Sequence, residues 1–185
     1  MAGVAVLNLF GLLPAGGVEV LFLGGGAGPT SGADGAVMSY LEGRYGAANV
    51  TYQASSGTAA GDESGYDVLV ISSTGSSGTV RGKFQTSAVP VVCWERVVVD
   101  GDEAGDFGIT AALIETEVDH KIRIKGSHPI TAGFAVGEVV QICSGAVDVF
   151  WSVPPQASGA VNLADDDDSD GQGFLTIVDQ GDTLM

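Results

Sequence analysis

Apolar residues in this chain gather in short runs separated by Gly-, Ser- and Asp-rich stretches, and the spacing within each run predicts its element. Val18–Leu23 (VEVLFL) is nearly continuous in hydrophobicity and ends abruptly in Gly24-Gly25-Gly26. A run without alternation predicts a strand buried on both faces, as in a parallel sheet. After the loop GGGAGPTSGAD, Asp34 is placed to cap a helix over about 35–45. Within it Val37, Met38, Leu41 and Tyr45 recur at helical spacing. Asn49–Ala54 (NVTYQA) then alternates as an edge strand does. Val68–Ser72 (VLVIS) and Ala88–Trp94 (AVPVVCW) repeat the buried-strand pattern, with SSTGSSGTVRGKF between them as loop and a helical turn. Strands joined by such crossovers predict right-handed βαβ units.

Beyond Asp100 the texture changes. Residues 111–118, 120–125, 136–143 and 146–151 read as β-rich and partly antiparallel, with GSHPITAGF as a turn among them. An acidic loop, Asp165–Asp170, precedes a last apolar run at Gly173–Val178 (GFLTIV). The expected fold is α/β, a mostly parallel sheet with flanking helices and a β-rich C-terminal half. Residues 1–16 form an apolar arm punctuated by Gly11 and Pro14, and 17–185 are expected to form a single domain. A chain of this length buries roughly 70% of its extended-chain surface, enough for a sizeable core.

Charge narrows the partners. The 23 acidic and 7 basic residues leave a net charge of −16, and a field of that sign repels phosphate backbones. No nucleic-acid partner is expected. Lys121–Lys125 (KIRIK) is the one basic run, alternating as an exposed strand face does. Such acidity suits a high-salt or extracellular setting, and it attracts divalent cations or a basic partner. No stretch reaches the roughly 18 to 20 apolar residues of a membrane-spanning helix. The N-terminal sixteen residues resemble a signal peptide only superficially, lacking Lys or Arg before the apolar run. Met1 still heads the chain, so cleavage is not expected. Cys93 and Cys143 both lie in apolar runs and are expected as buried free thiols rather than as a disulfide.

Three constellations carry candidate chemistry. The loop GGGAGPTSG follows a strand and precedes a helix, the right place for phosphate recognition. It has Ser31 where the dinucleotide fingerprint needs Gly, and it lacks the Lys of a Walker loop. It therefore reads as a crossover at the carboxyl edge of the sheet, where open α/β sheets take ligands. Gly25, Gly26, Trp94, Glu95, Arg96 and His128 are the ligand-pocket candidates. In DDDSDG, the alternating Asp166, Asp168 and Asp170 before a glycine suit Ca²⁺, although the twelfth position is Ile177 rather than a bidentate Glu. A solvated acidic loop is the alternative, and no other cofactor is expected. Trp94, Phe150 and Trp151 suit either a carbohydrate-stacking platform or core packing, and their apolar settings favour the core.

Taken in order, VEVLFLGG, GYDVLVISS, VPVVCWE, SHPITAGF (127–134) and GFLTIVDQGD resemble the class I glutamine amidotransferase-like superfamily. Within it they are most similar to the ThuA-like and related uncharacterised bacterial domains. The resemblance runs over roughly residues 17–183 and implies a flavodoxin-like, amidotransferase-like sheet. Members carry one more strand and helix after the segment matching QGDTLM, so the domain is expected to be shortened at its C terminus or completed by another chain. Working amidotransferases place a nucleophilic Cys between glycines at a tight turn after the third of these strands, within reach of a His. Here the segment reads VVCWERVVVD, which puts Glu95 nearer the turn than Cys93 and sets Trp94 and Arg96 where the glycines belong. Only His120 and His128 could partner a thiol. This weighs against catalysis.

The favoured expectation is a non-catalytic structural or interaction module, such as a surface-exposed component of a virion (a decoration protein) or of an extracellular assembly. Its partner would be another protein or further copies of itself, engaged through residues 1–16. The alternatives are a ThuA-like sugar-related enzyme or carbohydrate-binding protein, and a calcium-stabilised secreted accessory domain. A virion-surface or extracellular location is favoured over the cytoplasm.

Overall fold

The computed structural model describes residues 17–26, 28–29, 32–99, 106–109, 113–119, 121–141, 147–152, 159–165 and 173–178. The described residues divide into two compact units, one built on 17–99 with Asp106, the other on those from Phe107 to Val178.

The first unit is α/β. Its four-stranded sheet contains β1 (Val20–Gly24), β2 (Val50–Ala54), β3 (Val68–Ile71) and β4 (Val91–Cys93), in the order β2-β1-β3-β4. All three pairings are parallel. The two inner strands are the ones the sequence marks by unbroken hydrophobicity, and Val20–Leu23 and Leu69–Ile71 are wholly buried. Each such side chain contributes about 2 kcal/mol relative to exposure, which makes β1 and β3 the keel of the unit.

Helix α1 (Gly32–Tyr45) makes the crossover from β1 to β2. It contains Gly32, Gly35 and Gly43, poor helix formers, so its stability comes from packing. Val37, Met38, Leu41 and Tyr45 form the buried stripe. The helix stops at Gly46, whose φ of 94° suits a residue without a Cβ. Gly46 N–H bonds to the Glu42 carbonyl and Asn49 Nδ2 to the Tyr45 carbonyl, both at 2.9 Å, closing the last turn. Two four-residue helices follow β3 and β4: α2 (Ser77–Val80) and α3 (Arg96–Val99). Arg81 joins them to Asp106, donating through Nε to the buried carboxylate at 2.5 Å and through a second nitrogen to the Val97 carbonyl at 3.2 Å.

The second unit holds a six-stranded sheet. Its strands are β5 (Leu113–Asp119), β6 (Lys121–Ile124), β7 (Val139–Gln141), β8 (Val147–Ser152), β9 (Ala160–Asp165) and β10 (Gly173–Val178). They lie in the order β5-β8-β10-β9-β6-β7, and every pairing is antiparallel. The C-terminal half is thus wholly rather than partly antiparallel among the described strands. Strand β9 was not expected, because its residues AVNLAD place a polar Asn and an Asp among apolar positions. Asp165, expected in an acidic loop, ends this strand and is fully buried. Its Oδ2 lies 2.8 Å from Lys125 Nζ on the neighbouring strand's extension. Neither carboxylate oxygen meets an aligned hydrogen-bond donor, so the contact is an ion pair. In β6 the alternation expected of KIRIK is present: Ile122 and Ile124 are buried, with the cations on the other face.

Candidate functional site

The chain turns outward in opposite directions from β1, to β2 on one side and to β3 and β4 on the other. That arrangement leaves a crevice at the carboxyl ends of β1 and β3 in an open sheet. Two segments border it, the Gly-rich turn after Leu23 and the hydroxyl-rich turn Ser72–Ser76.

Asp34 reaches into this place from the first turn of α1 and is buried. Its position at the helix N-terminus favours a carboxylate, yet its side chain does not cap the helix as the sequence suggests. Ser72 Oγ donates to Asp34 Oδ1 at 2.5 Å, and Thr74 Oγ1 donates to Oδ2. Each hydroxyl in turn accepts a backbone N–H: Thr74 N–H donates to Ser72 Oγ at 3.2 Å, and Gly25 N–H donates to Thr74 Oγ1 at 2.9 Å. Charge-assisted bonds of this kind are roughly twice as strong as neutral ones.

Tyr52 closes the network from β2. Its hydroxyl donates to the Gly25 carbonyl at 2.7 Å. Burial, with the Asp34 charge adding to it, raises the phenol above its ordinary range and keeps it a donor. The ring stacks on Phe22 at 5.9 Å. The glycines here serve close approach: a Cβ on Gly24 would strike Asp34 and Tyr52, and one on Gly25 would strike the Thr74 carbonyl. Gly26 is different, since its φ of 78° requires glycine for backbone reasons. On the next loop, Ser76 N–H donates to Ser55 Oγ at 3.0 Å.

Among the expected pocket residues, Gly25 and Gly26 lie at this crevice, and Trp94, Glu95 and Arg96 follow β4 at the same edge of the sheet. Trp94 continues the ladder, donating its N–H to the Ile71 carbonyl at 3.1 Å, and its half-buried ring tilts against Phe22 at 6.1 Å. Glu95 is buried, and desolvation raises its carboxyl above the ordinary value, partly offset by the Val97 N–H and the Arg96 charge. Arg96 is exposed at the start of α3. Cys93 has some surface exposed, while its thiol is desolvated and pushed up to about 12. A thiol so shifted is almost wholly protonated at neutral pH and is a poor nucleophile.

Comparison with protein-family models, curated proteins and solved structures found no match.

His128 belongs to the second unit, where it braces the SHPIT turn. Its Nδ1 accepts the Ile130 N–H at 3.2 Å, and its own N–H donates to Thr131 Oγ1 at 3.0 Å. Thr131 Oγ1 also lies 2.8 Å from the Gly126 carbonyl, tying the turn to the end of β6. Asp166, Asp168 and Asp170 lie outside the described residues, as do Cys143 and residues 1–16. Among the described residues no three His, Cys, Asp or Glu side chains gather as a metal-ligating group, and no helix is long and apolar enough to cross a membrane.

Sequence reasoning missed the Asp34–Ser72–Thr74–Tyr52 network. A helix-capping role, which the sequence suggests for Asp34, needs no partner outside the helix. The available signal was the run Ser72-Ser73-Thr74 directly after a buried strand, where small hydroxyls suit a close crossing of two turns.

Proposed function

We propose that this chain is a non-catalytic structural or interaction module whose first unit is a flavodoxin-like, amidotransferase-like sheet. The strand order β2-β1-β3-β4, all parallel, supports that arrangement. One observation carries the functional reading. The crevice between the β1 and β3 turns, where such a sheet would take a ligand, is filled by the chain's own Asp34 carboxylate, held by Ser72 and Thr74. Both carboxylate oxygens are engaged, and the turns are bonded to each other through Gly25. A ligand there would have to displace charge-assisted bonds already made. The raised Cys93 thiol supports the same reading, because it withholds the one nucleophile that the resemblance would recruit.

The setting proposed is a surface-exposed assembly, a virion or an extracellular structure, in which a net charge of −16 keeps the exposed faces hydrated. The test is native mass measurement of the purified chain, with capture of its partners from the source material. Self-association or a stoichiometric protein partner is the expected result. A monomer that saturably binds a sugar or another small molecule at the carboxyl edge, with affinity altered by Thr74→Val, would overturn the proposal.

A further inference from the structure

Three of the buried carboxylates meet their partners in different ways. Asp34 has both oxygens taken by the hydroxyls of Ser72 and Thr74. Asp106 faces Arg81, and a guanidinium is never deprotonated in proteins. Asp165 has no exposed surface, yet neither of its oxygens meets an aligned hydrogen-bond donor. What it meets is the amine of Lys125, whose Nζ lies 2.8 Å from Oδ2. A lysine amine can lose its proton, and it is then a nucleophile.

The strands hold this pair in place. In the antiparallel β6–β9 ladder Arg123 lies opposite Asp165 and Ile124 opposite Ala164. The Lys125 N–H donates to the Leu163 carbonyl at 2.9 Å, so Lys125 stands across from Leu163 and diagonal to Asp165. Diagonal residues share a face of the sheet and come within reach of a long side chain. Leu163 and Ala164 are buried with Asp165, and water is thereby kept from the carboxyl group. The Lys125 side chain, 36% exposed, leaves a way out to solvent. Well-oriented groups held this close can reach effective molarities of roughly 10⁵ M or more, far above the concentration of the water that reverses a condensation.

We propose that Lys125 and Asp165 condense into an intramolecular amide that ties β6 to β9. The ion pair is the starting state. A proton passes from the Lys125 ammonium to the Asp165 carboxylate, giving the neutral amine and acid that a water-poor site holds at least cost. Nζ then attacks Cγ of Asp165 and forms the C–N bond. One Cγ–O bond breaks, and the hydroxyl leaves as water with a proton from the nitrogen. One ammonium and one carboxylate become one amide and one water, with no oxidant and no co-reactant. The step as written uses no further acid or base, which makes it slow. The freshly folded chain carries the ion pair, and the amide accumulates on standing. The bond is internal to the second unit and does not depend on assembly.

In the experiment the full chain is held folded at physiological temperature for several days, beside a portion kept in urea. The intact mass of each is taken, and each is digested with trypsin. No Lys or Arg follows Lys125 in the sequence. Trypsin therefore releases Gly126–Met185 from the uncondensed chain, whereas an acylated Lys125 resists cleavage. The expected product is Ile124–Met185 lighter by one water, accumulating in the folded sample and not in urea. An aspartyl succinimide also loses one water, but it leaves Lys125 cleavable and reopens in mild base. Lys125→Arg keeps the positive charge and cannot condense, so it should keep its full mass. Full mass with complete cleavage after Lys125 overturns the proposal. So does a water loss that persists in Lys125→Arg, or one that proceeds equally in urea.

Discussion

Asp34 bears on the carboxyl edge more than any other residue, because it accepts from Ser72 and Thr74 while sitting at the start of α1. Asp34→Ala removes two charge-assisted bonds and leaves the buried Ser72 hydroxyl without its acceptor. The expected loss is about 3 kcal/mol, read as a shift in the denaturant midpoint. Thr74→Val, at an exposed position, should cost less than half as much. Cys93 makes a kinetic prediction. With its thiol pushed up to about 12 from 9.0, the thiolate fraction near pH 8 falls by about a thousandfold. Alkylation at Cys93, followed by peptide mass spectrometry, should be correspondingly slow in the native protein and fast in denaturant. Rapid native labelling would show that the thiol is not desolvated. Glu95 makes a pH prediction. Burial raises its folded-state value, so the native state binds the extra proton, and stability contributed by Glu95 falls as pH rises from the ordinary carboxyl value through the raised one. Glu95→Gln removes that titration and keeps an oxygen for the Val97 N–H. Its stability should decline less between acidic and neutral pH than the wild type's, and an identical profile would show that the carboxyl is not perturbed.

At the scale of elements, the second unit depends on β9 being held to β6 across the Lys125–Asp165 pair. Asp165 is fully buried while Lys125 is partly exposed, so the two halves of the pair are not equivalent. Lys125→Met strands a carboxylate in the interior and should cost about 3 kcal/mol, whereas Asp165→Asn leaves only a solvated ammonium and should cost less. A larger loss for Asp165→Asn would show that the carboxylate is stabilised by something other than Lys125. This strand also shows where reading the sequence stops. Strands β1 and β3 were legible because VLFL and VLVI are apolar at every position, a pattern that only burial on both faces explains. The stripe Val37, Leu41 and Tyr45 made α1 legible despite its glycines. Strand β9 was not legible, since Asp165 looks like the first residue of an acidic loop until Lys125, forty positions earlier in the chain, is placed beside it. The same holds for Asp34, whose partners Ser72 and Thr74 are local in space and distant in sequence.

For the whole molecule, net charge is the property most directly read from sequence, and it has a consequence for both units. At −16, mutual repulsion among carboxylates opposes compaction, and added salt relieves it by screening. Raising sodium chloride from low to physiological ionic strength should therefore stabilise the chain by about 1 kcal/mol, or roughly 3 °C in unfolding midpoint at this length. Screening depends on ionic strength and hardly on which cation supplies it. A specific site behaves differently, because an ion that binds only the native state raises the midpoint by mass action. The comparison that separates the two is calcium chloride against sodium chloride at matched ionic strength, each with and without chelator. Equal rises assign the effect to screening and leave the Asp166–Asp170 segment as a solvated acidic loop. An additional rise in calcium alone, abolished by chelator and by Asp168→Asn, would place a bound ion there, because only a coordinated cation distinguishes one carboxylate among 23 acidic residues.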